Sequence, residues 1–387
     1  MHKLIRITTV PVSLKILLKG QLRYMSRFFE VQAISSDGDE LADVEDHENV
    51  PVTVVNMTRS ISPLRDAVAL FRLYRIFRRD RPDIVHTHTP KAGTLGMLAA
   101  KLARVPVRLH TVAGLPLLEK NGPVRYVLDH VEKITCACAD MVYPNSYGMR
   151  DIILQNGYTR AEKLKVLGNG STNGIDTAVF APDIVDDADK SALKKRLGIA
   201  PENFVIIFIG RLVRDKGIVE LVEAFRRLSE NHSIKLLLVG RQEEDLDRLP
   251  TGTRDDMARN PDIIAAGYQE DVRPYLAISD VLVLPSYREG LPNVPMQACA
   301  MEVPCIVTDI NGCNEIITDQ VNGLLVPPKQ VEPLEQAMER ILQDPGLLKR
   351  LKGNARPQIV EKYDQQSVWE AVREEYDYFL SGNGGGA

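Results

Sequence analysis

FVIIFIGRLVRDKGIVELVEAFRRL, residues Phe204 to Leu228, decides the fold. Its first six residues form an unbroken β-branched and aromatic run, the pattern of a strand buried on both faces of a parallel sheet. Farther on, Ile218, Leu221, Val222, Phe225 and Leu228 recur at three- and four-residue spacing, so an amphipathic helix follows and packs on the sheet. Strand, glycine-bounded loop and helix make half of a βαβ unit. A helix that starts at the carboxyl edge of such a sheet offers free N–H groups there, and phosphates bind at these junctions.

Outward from this unit the same alternation runs through the chain twice. The first series of strands is expected at Leu4 to Val10, Val31 to Ser35, Val52 to Val55, Ile84 to His88, Val107 to Val112 and Met141 to Pro144. The second adds Ile234 to Gly240, Asp262 to Ala266, Val281 to Pro285, Cys305 to Thr308 and Leu324 to Val326 to Phe204 to Gly210. The class is therefore α/β, with two Rossmann-like domains divided near residues 168 to 185. Asp183 to Lys190 is acidic and lacks apolar periodicity, which predicts an exposed segment.

The 387 residues, 44% of them hydrophobic, suffice for two cores. A net charge of −4 argues against a general nucleic-acid binder, which would carry a basic excess. Five cysteines in apolar or glycine-rich surroundings do not form a disulfide framework and fit a reducing cytoplasm. The amino terminus has no long apolar region with a small-residue cleavage site, and no stretch approaches the roughly 20 apolar residues of a membrane span. Any membrane contact is expected to be peripheral. Residues 381–387 are glycine-rich and read as a disordered tail.

Two loops carry the candidate chemistry. After the strand ending at Ile209, Gly210 lets a backbone approach a diphosphate closely, Arg211 can bond it bidentately and Lys216 can set a point charge on it. A solvated basic loop is the competing reading of this motif taken alone. After the strand ending at Pro285, Glu289 can accept bonds from sugar hydroxyls. The backbone of Gly290, Leu291, Pro292 and Asn293 can meet phosphate, and Gln297 can reach a ribose one helical turn on. Because Gln297 cannot ionise, Glu289 and Gln297 cannot serve as a glycosidase pair.

These motifs resemble the family 4 retaining glycosyltransferases of the GT-B fold, which carry Gly-Arg, then Lys-Gly, then Glu-x7-Glu. Arg211 and Lys216 fall on the diphosphate-binding pair and Glu289 on the first motif glutamate, while Asn311 to Ile317 and Asn322 to Leu324 fall on later patterns. The sequence departs from the family at Gln297, where a second glutamate bonds ribose hydroxyls, and at Glu302, where a glycine is usual. Ala113 stands where relatives place a donor-binding histidine. The stretches IVHTHTPKAGTLG, Ile84 to Gly96, and Thr8 to Asp37 resemble the subgroup that builds capsular and other surface polysaccharides on a polyprenyl-diphosphate carrier.

By this resemblance, residues 1–175 form an acceptor-binding domain and residues 176–365 a nucleotide-sugar-binding domain, facing each other across a cleft. A helix over residues 366–380 is expected to return to the first domain. The implied activity is retaining transfer, without metal or cofactor, from a nucleotide-sugar donor such as a UDP-N-acetylhexosamine to a lipid-linked saccharide acceptor. The implied place is the cytoplasmic face of a bacterial membrane. His110 is a candidate to substitute for the missing histidine, and His88 and Lys91 are candidate acceptor contacts.

Lys15, Lys19, Arg23 and Arg27 repeat every four positions beside Leu14, Leu18, Leu22 and Met25, predicting a basic amphipathic helix that could lie on anionic lipid. Arg72, Arg75, Arg78, Arg79 and Arg81 form a second basic cluster. Ordinary surface helices are the competing reading of both. His86, His88 and His110 could imitate a three-imidazole metal site, but no carboxylate spacing supports one. Asp37-Gly38-Asp39, Asp187-Ala188-Asp189 and Asp245-Leu246-Asp247 each match the short motif of metal-dependent transferases, and three copies show how often it arises by chance. A sugar-nucleotide epimerase and a sugar-nucleotide-binding scaffold without turnover are the rival functions.

Overall fold

The computed structural model describes residues 1–58, 60–115, 117, 121–243 and 247–382. From the amino terminus, β1 (Lys3–Ile7) leads into two short helices, α1 (Pro11–Leu17) and α2 (Gln21–Met25). Next come β2 (Glu30–Ser35), α3 (Glu40–Glu48), β3 (Val52–Val54) and the long α4 (Pro63–Asp80). The first run closes with β4 (Ile84–Thr87), α5 (Pro90–Ala103), β5 (Val107–Val112), α6 (Gly122–Cys138), β6 (Met141–Pro144) and α7 (Tyr147–Gln155).

The second run opens with α8 (Asp187–Arg196), β7 (Phe204–Ile209), α9 (Ile218–Ser229), β8 (Ile234–Val239) and α10 (Thr251–Arg259). It continues through β9 (Ile263–Gly267), α11 (Arg273–Ala277), β10 (Val281–Leu284), α12 (Asn293–Ala300) and β11 (Cys305–Thr308). α13 (Cys313–Ile316), β12 (Gly323–Val326), α14 (Val331–Gln343), α15 (Pro345–Tyr363) and α16 (Gln365–Leu380) complete it.

Every expected strand forms, with ends displaced by at most three residues. The sheets are ordered β3-β2-β1-β4-β5-β6 and β12-β11-β10-β7-β8-β9, both parallel, so each repeats the doubly wound Rossmann order 3-2-1-4-5-6. The strand order reverses at the β1/β4 pair in one sheet and at the β7/β10 pair in the other.

The chain divides into two compact units: Met1–Gly174 with the segment from Gln365 onward, and Ile175–Asp364. In the first, the two faces of the sheet carry separate cores. One joins Ile5, Ile7 and Val85 to Leu73 and Phe77 of α4; the other joins Leu4, Ile84 and Leu109 to Leu22 and Met25 of α2 and to Val372 and Tyr376 of α16. In the second unit one cluster spans the sheet and includes Ile218, Leu221, Val222, Phe225 and Leu228 of α9, the face expected from their spacing.

One expectation needs correction. The basic helix over residues 14–28 is broken: Gly20 takes φ +77° between α1 and α2, where a Cβ would lie 2.7 Å from the Trp369 ring. The break ends the four-residue register of the cations, Leu14, Leu18, Leu22 and Met25 are fully buried, and Lys15 pairs with Asp43 at 2.5 Å. The segment Asp183 to Lys190 is largely exposed, as expected, and its last residues are helical. The Asp186 carboxylate accepts the Asp189 N–H at 2.7 Å, so this acidic stretch caps and starts α8.

Candidate functional site

The loops after β7 and β10 meet because those strands are neighbours at the reversal of strand order, the position where open α/β sheets take ligands. Gly217, with φ +71°, starts α9 there; a Cβ on it would lie 2.1 Å from the Pro285 carbonyl oxygen, so only glycine lets the two loops close up. The Tyr287 N–H donates to the Asp215 carbonyl at 2.9 Å, joining the loops through their backbones.

This contact brings Lys216 Nζ within 2.5 Å of Glu289 Oε1, across 73 residues of sequence. Both side chains are mostly buried, at 19% and 12% exposure. Arg211 reaches Glu243 at 3.1 Å and Asp215 at 3.7 Å, and Arg288 reaches Asp215 at 2.8 Å. Each cation is thus held by a carboxylate, an arrangement a diphosphate can replace charge for charge. On the β10 side Leu291 and Pro292 are buried, while Gly290, Asn293 and Gln297 are half-buried. Asn311 Nδ2 donates to the carbonyls of Glu289 and Gly290 at 3.0 Å, fixing that turn.

Sequence reasoning missed the acidic half of this cluster. Asp215 and Glu243 pair with the cations, and Asp247 Oδ2 accepts the Asp215 N–H at 2.7 Å. Asp247 is half-buried, and Asp245 and Leu246 lie outside the described residues. The signal available was the two cations themselves, which need partners in a fold of this density. After the adjacent strands β8 and β9, the Arg241 guanidinium lies 4.4 Å from the Tyr268 ring, and that ring is 59% exposed. The pair forms a flat cationic and aromatic surface suited to stacking.

In the first unit, Lys91 at the start of α5 pairs with Asp66 at 2.6 Å. His110 Nδ1 bonds Thr87 Oγ1 at 2.8 Å, and burial depresses its pKa to about 4. Arg6 Nε donates to His88 Nε2 at 2.9 Å. His86 uses both nitrogens, on Tyr376 and Thr111, and burial holds the pKa of His86 and His88 well below the usual histidine value. These imidazoles are neutral hydrogen-bonding groups of the core. Among the described residues, no group of three or more His, Cys, Asp and Glu is placed to hold a metal ion.

Residues 189–358 match the family model for glycosyl transferases group 1, and residues 21–170 that for a glycosyl transferase 4-like domain. Over 381 residues, 98% of either chain, the sequence is 30% identical to the capsular polysaccharide biosynthesis glycosyltransferase CapM of Staphylococcus aureus. The chain is a glycosyltransferase of this family. It is also 30% identical, over 90% of its length and 89% of the relative's, to the UDP-Gal:alpha-D-GlcNAc-diphosphoundecaprenol alpha-1,3-galactosyltransferase of Escherichia coli. The fold matches that of a Rickettsia africae glycosyltransferase with a TM-score of 0.81 at 21% identity, covering 98% of both chains. Anabaena Alr3699/HepE, solved with UDP and glucose, matches at 0.80 and 19% identity, over 97% of this glycosyltransferase and all of that chain. The expected GT-B class, two Rossmann-like domains, is the fold observed.

Proposed function

We propose that this glycosyltransferase moves a sugar from a UDP-sugar, such as a UDP-hexose or UDP-N-acetylhexosamine, to a polyprenyl-diphosphate-linked saccharide during surface-polysaccharide assembly. The observation that carries the reading is the meeting of Arg211, Lys216 and Glu289 at the β7/β10 edge. In this reading the donor diphosphate displaces the carboxylates from Arg211 and Lys216, and both cations stabilise the charge that develops as the diphosphate leaves. Glu289, released from Lys216, accepts hydroxyl hydrogen bonds of the transferred sugar. The backbone of Gly210 and of Gly290 to Asn293 lines the diphosphate, and Gln297 holds the ribose through its amide. Tyr268 with Arg241 offers the base a stacking face. Transfer with retention and without metal follows from the family resemblance. The donor and acceptor named for the E. coli relative support the UDP and lipid-linked assignments.

His88 and Lys91 belong to the acceptor side in this reading, and His110 supports them from beneath α5. Peripheral contact with an anionic membrane gains support from α4, where Leu64, Val68 and Phe71 are 84%, 54% and 59% exposed. Arg72, Arg75, Arg78 and Arg79 are exposed on the same helix. The test is release of UDP from a panel of UDP-, GDP- and ADP-sugars with polyprenyl-diphosphate-linked acceptors, with and without chelator. Acceptor-dependent, chelator-resistant release with an axial product supports the proposal. Nucleotide binding without transfer to any acceptor in the panel removes it.

A further inference from the structure

The β1/β4 reversal in the first unit holds a cation, Arg6, that makes no ion pair among the described residues, the Glu48 carboxylate acting on it only at longer range. Arg6 is fully buried on β1; its Nε donates to His88 Nε2 and its Nη2 to Gln21 Oε1 at 2.5 Å, both neutral acceptors. Among the described residues its Nη1 has no partner, and neither do His88 Nδ1 and Asn145 Oδ1, all three buried. The three residues line one cavity of about 10 Å³, together with Ser171 and Thr172. That volume admits one water-sized group, about one probe sphere. His88 directly follows β4 and Asn145 directly follows β6, so the cavity lies at the carboxyl edge of the sheet.

The hydrogen positions define what fits. His88 Nε2 accepts from Arg6, so the neutral ring carries its proton on Nδ1 and that atom is a donor. Arg6 Nη1 is a second donor. Asn145 Nδ2 donates to the Ala113 carbonyl at 3.3 Å, which leaves its Oδ1 as an acceptor. Two donors and one acceptor complement an oxygen that accepts two hydrogen bonds and gives one. A bare anion would satisfy the donors but face the Asn145 oxygen with no proton to offer, and leaving such a group unsatisfied costs about 1 to 3 kcal/mol.

We propose that Arg6, His88 and Asn145 form a binding site for a single neutral hydroxyl, that of an ordered water or of a saccharide. The saccharide source rests on the proposed acceptor reading; the site itself does not. Gln21, held by Arg6, donates to the Thr172 carbonyl and to Asn173 Oδ1, both at 3.1 Å, so the occupant completes a network that reaches the last residues before the second unit.

The test is a crystal structure of the full chain at a resolution that shows ordered water, without ligand, with free N-acetylglucosamine, and after a bromide soak. One oxygen peak within hydrogen-bond distance of Arg6 Nη1, His88 Nδ1 and Asn145 Oδ1 is expected. Its replacement by a sugar oxygen identifies the saccharide as the source, and its persistence beside the sugar identifies water. Loss of the peak in Asn145→Leu agrees with the site. A bromide anomalous peak on Arg6, a peak unchanged in Asn145→Leu, or no peak in any wild-type crystal would overturn the proposal. None of these readings depends on transferase activity, so failure of the site and failure of the proposed reaction are separate results.

Discussion

Lys216 is tied to Glu289, so its substitution removes the charge proposed to face the leaving diphosphate. Lys216→Ala is expected to lower the transfer rate about 10²- to 10³-fold, the loss of about 3 to 4 kcal/mol of transition-state stabilisation. The pair is mostly buried, so removing Lys216 leaves the Glu289 carboxylate without its cation and is expected to lower the melting temperature as well; the rates are therefore compared at a temperature where circular dichroism shows both proteins folded, and an unchanged rate there would refute the role. Glu302 shows the opposite case, a residue whose backbone is wrong for its side chain. It adopts φ +60° just after α12, the position where the family resemblance calls for glycine. Glu302→Gly is expected to raise stability by about 1 kcal/mol by removing the left-handed strain, read by urea unfolding of both proteins. The departure legible in the sequence is thus a conformational cost in the structure.

At the scale of elements, α6 carries Glu132 into the core, where burial raises its carboxyl pKa to about 7. The folded value exceeds the unfolded one of about 4.5, so the native state holds a proton that the unfolded chain releases between these two pH values. Its contribution is therefore full below about pH 4.5 and is lost as pH rises through about 7, amounting to about 3 kcal/mol. Glu132→Gln should match wild type in stability at pH 4.5 and gain toward that amount at pH 8. Equal differences at both pH values would refute the assignment. Helix α4 makes a different prediction: Val68→Glu with Phe71→Glu should abolish cosedimentation with phosphatidylglycerol vesicles and leave the melting temperature within about 2 °C, since surface changes stay near ±0.5 kcal/mol. Undiminished vesicle binding would exclude α4 as the lipid contact.

Across the whole molecule, the last helix belongs to the first unit. Val372, Tyr376 and Phe379 of α16 complete its core, and the Tyr376 hydroxyl bonds His86 Nδ1 at 2.6 Å. Trp369, the single tryptophan, lies on the same helix and therefore reports that unit alone. Tyr376→Ala should destabilise the first unit by about 3 to 5 kcal/mol. Its tryptophan-fluorescence midpoint should fall, while a second transition in far-ultraviolet circular dichroism stays in place; joint displacement of both would show that the units unfold together. What the sequence determined by itself was whatever depends on local pattern: the twelve strands, the face of α9, and the loops bearing Arg211, Lys216 and Glu289. Apolar period and glycine position act within a few residues, so they can be read one segment at a time. Only the tertiary structure decided that Lys216 meets Glu289 across 73 residues, that Asp215 and Glu243 hold Arg211, and that Gly20 breaks the basic helix against Trp369. It also decided that Leu14, Leu18, Leu22 and Met25 of the first helices are buried while α4 exposes Leu64, Val68 and Phe71. Those outcomes depend on which strands become neighbours and on which face a helix finds cover, and these are properties of the packed chain that no single segment encodes.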